Sequence, residues 1–396
     1  MLGDTMTKNI QASNFYKTFV KLYGAYPTAL SNAPGRVNLI GEFTDYNNGF
    51  VLPCALQYST RILFKKRSDN VINVHSTDYP GETEQFDVSQ EIVPGNSQWG
   101  NYIRAVAFVF KREGFLLNGF DMLIDSDVPQ GSGLSSSAAL EVSVGGMFNY
   151  ACELSLPAPT IAVLGQAAEN DFIDCQCGVM DQMISACGVK GHAMLLDCES
   201  LETKAVSIPD DLAIVIVNSN YPRKLVDSEY NQRRIDCEQA AKKMQVSTLR
   251  GADMAKLNAV KDSLSVNEYK RAHHVISENQ RVLDAVQALK NNDMSVLREL
   301  MSASHQSLKY DFEVTVPATD GLVQICAAAL QDRGAVRMTG GGFGGAIVCL
   351  CRTEDIASIT KAVEAEYEKK FNLIANIYVC SAGEGLKITE LAKGLI

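Results

Sequence analysis

The chain has no apolar run near the roughly 20 residues that cross a bilayer; its longest, such as 212–217, stop far short. No membrane role is expected from it. The opening Met-Leu-Gly-Asp-Thr-Met-Thr-Lys has no apolar signal core, so a cytoplasmic location is expected. A basic excess is missing too: Lys+Arg number 36 against Asp+Glu 46, a net charge of −10. Such a chain repels nucleic acid and anionic lipid, which excludes both as expected partners. An anionic ligand would need a local site that works against the global field. Paired Cys-x-x-Cys motifs are absent. The 11 cysteines are scattered and odd in number, and several lie in apolar stretches (Cys54, Cys326, Cys349, Cys351, Cys380), as buried reduced thiols do. Cys175 with Cys177, and Cys349 with Cys351, form Cys-x-Cys pairs without a second pair at zinc-finger spacing. The five histidines give no metal pattern either. There is no Gly-Lys-Ser/Thr of a Walker A loop and no His-Arg-Asp segment. Internal repeats and long linkers are also lacking.

What is there is enough chain, 396 residues, for two domains with real cores. The first half alternates strand-like and helix-like stretches. Phe120, Met122 and Ile124 mark one face of a strand. Leu140, Val144, Met147, Phe148 and Ala151 mark a helix over 137–151, and Ile161, Leu164, Ala168 and Phe172 another. Past Pro209-Asp210-Asp211 come a buried strand and long polar helices, one striped by Val282, Leu283, Val286 and Leu289. The end returns to strands at Arg337-Met338 and 346–350. This mixture predicts an α+β chain with domains 1–205 and 206–396.

Between the predicted strand and helix lies Val128-Pro129-Gln130-Gly131-Ser132-Gly133-Leu134-Ser135-Ser136-Ser137-Ala138-Ala139. Glycines allow a tight turn and close approach to a ligand, serines add donors, and the helix start adds free N–H groups. A polyphosphate needs such equipment; a serine-rich helix cap after a tight turn would read the same way. A second glycine cluster, Gly340-Gly341-Gly342-Phe343-Gly344-Gly345, formally satisfies G-x-G-x-x-G. A strand-like run follows it instead of a helix, so a hairpin packed against a ligand or loop is expected.

Arg36, Asn38, Glu42 and Asp45 interrupt an apolar strand and its turn. Carboxylates there suit a hydroxyl-rich ligand, although a surface ion pair would look alike. Glu169 sits beside the apolar stripe of its helix. Asp181 stands amid apolar neighbours, as a perturbed carboxylate or a plain helix cap. Asp171 and Asp174 lack such framing.

Three separated segments, 35–46, 129–139 and 338–345, resemble the motifs of the GHMP small-molecule kinases. The run Gly-Arg-Val-Asn-Leu-Ile-Gly-Glu-Phe-Thr-Asp-Tyr-Asn is similar to the signature of the galactokinases within them. The likeness continues through 177–182, Ser228-Glu229-Tyr230-Asn231 and 311–317. It implies an N-terminal domain like domain 2 of ribosomal protein S5 and a ferredoxin-like C-terminal domain, with the site between them. It also implies transfer of the ATP γ-phosphoryl group to the anomeric hydroxyl of α-D-galactose, the first committed step of galactose catabolism. Carried over by motif, Asp181 is the catalytic base and Arg36 its partner. Ser137 and Glu169 match Mg²⁺ ligands. Gly131, Ser132, Gly133, Leu134, Ser135, Ser136 and Ser137 match the ATP loop. Glu42, Phe43, Thr44, Asp45, Gly178 and Tyr230 match the sugar pocket. The partners expected are galactose and MgATP, and the acidic surface leans towards a monomer.

One position departs from the pattern. Galactokinases usually carry His where this chain has Phe43, near the sugar's exocyclic hydroxymethyl group, so retained activity with weaker binding or more tolerance at the sugar C6 position is expected. Rival readings are a kinase of the same family acting on N-acetylgalactosamine, mevalonate or homoserine, and a catalytically silent galactose sensor. The complete run Ser135-Ser136-Ser137-Ala138-Ala139 argues against the sensor.

Overall fold

The computed structural model describes residues 9–129, 131–222 and 226–391, with the side chains of 226–228 outside the description. Gln130 and the side chain of Ser228, both inside motifs noted above, therefore lie outside the described residues.

Helical residues 9–12 lead into α1 (Asn14–Tyr23), whose N-terminus is capped by the Ser13 hydroxyl and whose end turns at Gly24. β1 (Ala29–Asn38), β2 (Phe50–Val51), β3 (Pro53–Lys66), β4 (Val71–Ser76), β5 (Thr83–Asp87), α2 (Gln98–Arg112) and β6 (Phe120–Ser126) follow. Then come α3 (Ser136–Ala151), α4 (Ala158–Asp171), α5 (Met180–Cys187), β7 (His192–Asp197), β8 (Thr203–Ser207) and β9 (Leu212–Asn218). The rest comprises α6 (Val226–Lys243), α7 (Met254–Ala259), α8 (Val266–Lys290), α9 (Met294–Tyr310), α10 (Pro317–Leu330), β10 (Gly334–Thr339), β11 (Ala346–Arg352), α11 (Ile356–Phe371), β12 (Asn376–Cys380) and β13 (Lys387–Glu390). The predicted helices and strands fall on these elements; the helix predicted from 137 begins one residue earlier, at Ser136.

The first sheet has the order β13-β1-β3-β6-β4-β5. Alternation splits its strands between two cores. Ile62, Phe64, Phe120, Met122 and Ile124 pack against Phe110 of α2 and Phe148 of α3. Leu63 and Leu123, facing the other way, pack on Phe19 of α1. The edge strand β13 arrives from the far end of the chain and pairs with β1.

The second sheet has the order β10-β11-β9-β12 and is antiparallel throughout. Val215, Val217, Ile347 and Cys349 face Leu322 and Cys326 of α10 and Tyr367 of α11. Ile214, Ile216, Val348 and Leu350 face Val282, Val286 and Leu289 of α8. Burial on both faces explains why 212–217 and 346–350 read as unbroken apolar runs. The latter core also takes in Leu52, Cys54 and Leu56 of the first half, so the two halves meet over shared apolar surface. A small sheet, β2-β7-β8, lies beside that junction. Among the described residues no helix is long and apolar enough to cross a membrane.

Candidate active site

The loop between β6 and α3 is shaped by three left-handed residues: Gly131 (φ 69°), Gly133 (φ 76°) and Ser135 (φ 58°). Ser135 occupies the cap position of α3 yet makes no capping hydrogen bond. Its hydroxyl donates instead to Asp181 Oδ2. The helix start is therefore not closed by its own serine, which removes the simple capping reading of this segment. Inside the loop, Ser132 Oγ donates to Pro129 O (2.5 Å) and Leu134 is buried. The strand β1 runs tight against the loop. Arg36 N donates to Leu134 O (3.0 Å), and a Cβ on Gly35 would lie 2.6 Å from that same oxygen. Only glycine fits there.

Asp181 stands in the first turn of α5, where the cap position is Val179 and no side-chain cap forms. Its carboxylate accepts from Arg36 Nε (2.7 Å) and Arg36 Nη2 (2.5 Å), a bidentate, charge-assisted pair. Arg36 Nη1 donates to Gly133 O (2.6 Å), so one guanidinium ties the glycine loop to the carboxylate. Burial works against the Arg36 charge, and Asp181 and Glu42 more than offset it. The Arg36 side chain is 8% exposed and that of Asp181 is 26%, so the pair opens to the cavity on the carboxylate side.

Ser137 Oγ lies 3.3 Å from Glu169 Oε1, which brings the two expected metal ligands together. Glu169 Oε2 accepts from Gln182 Nε2 (2.8 Å) and Cys177 Sγ (3.3 Å). Gln182 Nε2 also donates to Glu141 Oε2 (2.9 Å). Burial and the nearby Asp181 raise the Glu169 pKa, and burial with Glu169 nearby holds Glu141 well above the usual range. Sequence reasoning missed Glu141 and Gln182. The only signal was an acid in the apolar run Ala138-Ala139-Leu140-Glu141-Val142 of a helix buried nearly all round. Among the described residues no group of three or more His, Cys, Asp or Glu is placed to hold an ion. The 11 cysteines are all free thiols.

Asp181, Arg36 and Glu169 border a cavity of about 510 Å³ that also meets Glu42, Phe43, Asp45, Gly178 and Tyr230. Burial first, then the charge of Asp181, pushes the Asp45 carboxyl up to about 7. Gly178 packs against this side chain: a Cβ there would lie 2.2 Å from Asp45 Oδ2. Phe43 is held left-handed (φ 64°), and its ring stacks on Phe312 with centroids 4.5 Å apart. Tyr230 meets Phe43 at 5.8 Å, giving the cavity an aromatic wall.

Two expectations change. Thr44 is fully buried, and its hydroxyl reaches Gly41 O (2.9 Å) and Phe50 O (2.6 Å). It holds the turn and is not among the residues that border the cavity. Asp174, set aside in the sequence reading, borders the cavity, whereas Asp171 pairs with Arg112 at the surface.

The 340–345 segment is the predicted hairpin connection: β10 and β11 pair antiparallel up to Thr339 and Ala346. Gly340 N donates to Glu42 Oε1 (2.8 Å), and a Cβ at Gly340 would lie 3.5 Å from Gly133 O. The hairpin thus touches both the acidic turn and the serine loop. Beyond that loop lies a second cavity, of about 500 Å³, reached by Gly131, Ser136 and Ser137 and walled by Tyr79, Trp99 and Tyr102. The Tyr79 and Trp99 rings stack at 5.7 Å and 5°. Nothing in the sequence reading pointed to this cavity.

The galactokinase galactose-binding signature matches residues 17–66. The GHMP kinases N terminal domain matches 101–189, and the GHMP kinases C terminal domain matches 285–369. Galactokinase from Lactococcus lactis, solved with galactose, is 34% identical, with a TM-score of 0.88 over 94% of this chain and 98% of that one. The mevalonate kinase of Methanococcus jannaschii shares the fold at 17% identity, with a TM-score of 0.63 over 90% of this chain and 99% of that one. So does the Streptococcus pneumoniae phosphomevalonate kinase, at 12% identity, with a TM-score of 0.62 over 88% of this chain and 99% of that one. Identity at this level across nearly the whole length, with the signature on the acidic turn, means that the chain belongs to the galactokinase family of GHMP kinases.

Proposed function

We propose that the protein transfers the γ-phosphoryl group of MgATP to the anomeric hydroxyl of α-D-galactose, giving α-D-galactose 1-phosphate and ADP. The observation that carries this reading is the Arg36–Asp181 pair, bonded to the serine loop on one side and open to the acidic cavity on the other. The galactose-binding signature over 17–66 supports the choice of sugar.

In this reading the triphosphate lies over 131–137, where loop N–H groups and the start of α3 face it. The nucleoside extends into the cavity walled by Tyr79, Trp99 and Tyr102, where a flat base suits aromatic walls. The sugar occupies the cavity of Glu42, Asp45 and Tyr230, where the two carboxylates accept hydrogen bonds from its hydroxyls. Asp181 accepts the hydrogen bond of the anomeric hydroxyl and aligns its oxygen with the γ-phosphorus. The new O–P bond forms as the bond to the leaving ADP oxygen breaks, and the hydroxyl proton passes to Asp181. A carboxylate is a weak base towards a sugar hydroxyl. In a loose transition state its main task is orientation, with the proton moving late. Arg36 stabilises charge as it develops on the transferred group.

Ser137 and Glu169 offer hard oxygen donors side by side, one hydroxyl and one carboxylate, which suits Mg²⁺ sharing its shell with phosphate and water. The ion, when bound, screens phosphate charge. Gln182 and Cys177 hold Glu169 in place for it. The same reading divides the chain near 205/206, with β13 as a returning strand of the first half. It describes a cytoplasmic monomer serving galactose catabolism. ADP release on adding galactose tests it.

A further inference from the structure

The Glu42 carboxylate is held unevenly. Oε1 meets Arg337 Nη2 (2.9 Å), Gly340 N (2.8 Å) and Thr339 Oγ1 (3.0 Å). Oε2 receives only Asn38 Nδ2 (3.0 Å). A carboxylate oxygen has two lone-pair sites, so the Gly340 N–H and the Thr339 hydroxyl fill Oε1, Arg337 Nη2 adds its charge beside them as an ion-pair contact, and Oε2 keeps one site free. Glu42 is 3% exposed yet borders the acidic cavity, so the oxygen with spare capacity belongs to a buried group at the cavity wall.

The two donors and the ion-pair partner of Oε1 come from residues 337–340, across the junction between the halves. Arg337 is fully buried, and its Nη1 also donates to Leu39 O (3.0 Å) and Asn38 O (3.2 Å). The Thr339 hydroxyl lies between Glu42 Oε1 and Asn38 O (2.9 Å). On the opposite side of the turn, Gly41 N donates to Glu278 Oε1 (3.0 Å) and His274 Nε2 to Glu42 O (3.1 Å). A guanidinium taken out of water must be repaid by its partners. Here those partners are the acidic side chain at the cavity and the backbone that carries it.

We propose that Arg337 and Thr339 are positioning residues for the acceptor sugar: they hold Glu42 Oε1 so that Oε2 is left to accept one sugar hydroxyl. The inference rests on the galactose reading above. It goes beyond glue between the halves, because it assigns these two side chains to sugar affinity and leaves nucleotide affinity unaffected.

The test uses the full chain, with galactose binding measured by titration calorimetry without nucleotide, and KM values measured for both substrates. Thr339→Val keeps the shape and removes only the hydroxyl. It is expected to weaken galactose binding about two- to tenfold, the range for one hydrogen bond, with the ATP KM unchanged. Arg337→Lys keeps the charge and loses the fork, and is expected to weaken galactose binding about tenfold or more. In a Glu42→Gln background its effect should shrink, so the two losses do not add. Galactose affinity unchanged in Thr339→Val, or equal losses for sugar and ATP, overturns the inference. If Arg337→Lys does not fold, Thr339→Val carries the test. A wild-type chain that binds no galactose overturns the sugar reading itself, and this inference with it.

Discussion

Replacing Asp181 by Asn removes a charge while keeping the volume. The native carboxylate accepts from Arg36 Nε, Arg36 Nη2 and Ser135 Oγ. Asn retains one acceptor oxygen. Its amide nitrogen, a donor only, faces Arg36 Nε in the Oδ1 position, or both Arg36 Nη2 and the Ser135 hydroxyl in the Oδ2 position. At least one charge-assisted bond is lost, worth ~1.5–3 kcal/mol. Arg36 is then buried without its counter-charge. With Asp181 26% exposed, that loss stays below the ~3–5 kcal/mol of a fully buried broken pair. The variant should therefore fold, which a thermal melt checks. The catalytic loss is larger in effect: a positioned base contributes about 10²–10⁴ in rate. Turnover in a coupled ADP-release assay at saturating substrates should fall at least ~10²-fold. Galactose should still bind, because Glu42, Asp45 and Tyr230 remain at the cavity. Near-normal turnover in a folded Asp181→Asn variant would remove Asp181 from the mechanism.

Glu169→Ala should raise the Mg²⁺ concentration needed for half-maximal rate more than it raises the galactose KM; if only the sugar KM moves, the metal assignment is wrong. Phe43→His introduces a hydrogen-bonding group into the aromatic wall, a gain of about 0.5–1.5 kcal/mol for one net bond, read as tighter sugar binding and sharper discrimination among C6 analogues. Both quantities unchanged would separate Phe43 from the sugar. Asp45 sits at about 7 in the ligand-free protein, so a hydroxyl that donates to it favours the charged form and lowers its pKa. Galactose binding near neutral pH should then release protons, and affinity should rise as pH increases through about 7. Calorimetry in buffers of different ionisation heat reads this directly, and proton uptake or no exchange would contradict it.

The parts of this arrangement that were legible in the sequence are those with a local signature. Alternation marked Phe120, Met122 and Ile124 on β6, and helical spacing marked α3 and α4. A strand after 340–345 distinguished a hairpin from a dinucleotide loop. Arg36 and Asp181, 145 residues apart, met in the site because motif resemblance named both; periodicity alone says nothing of such a pair. What stayed hidden is set by tertiary packing. Glu141 and Gln182 acquire meaning only once α3, α4 and α5 close around Glu169. Arg337 looks like an ordinary strand residue until β10 meets the acidic turn. Motif resemblance assigns Thr44 to the sugar pocket, while the turn points its hydroxyl at backbone. The aromatic cavity of Tyr79 and Trp99 brings the segment after β4 against the first turn of α2, and β13 closes a sheet begun more than half the chain earlier.

The most direct test of the central claim is ADP release by the purified chain with MgATP and, in turn, galactose, N-acetylgalactosamine, glucose, 2-deoxygalactose and mevalonate, with the sugar product identified by phosphorus NMR. Galactose should give the highest kcat/KM and α-galactose 1-phosphate as product. No ADP release with galactose, or a higher kcat/KM for N-acetylgalactosamine or mevalonate, would contradict the account.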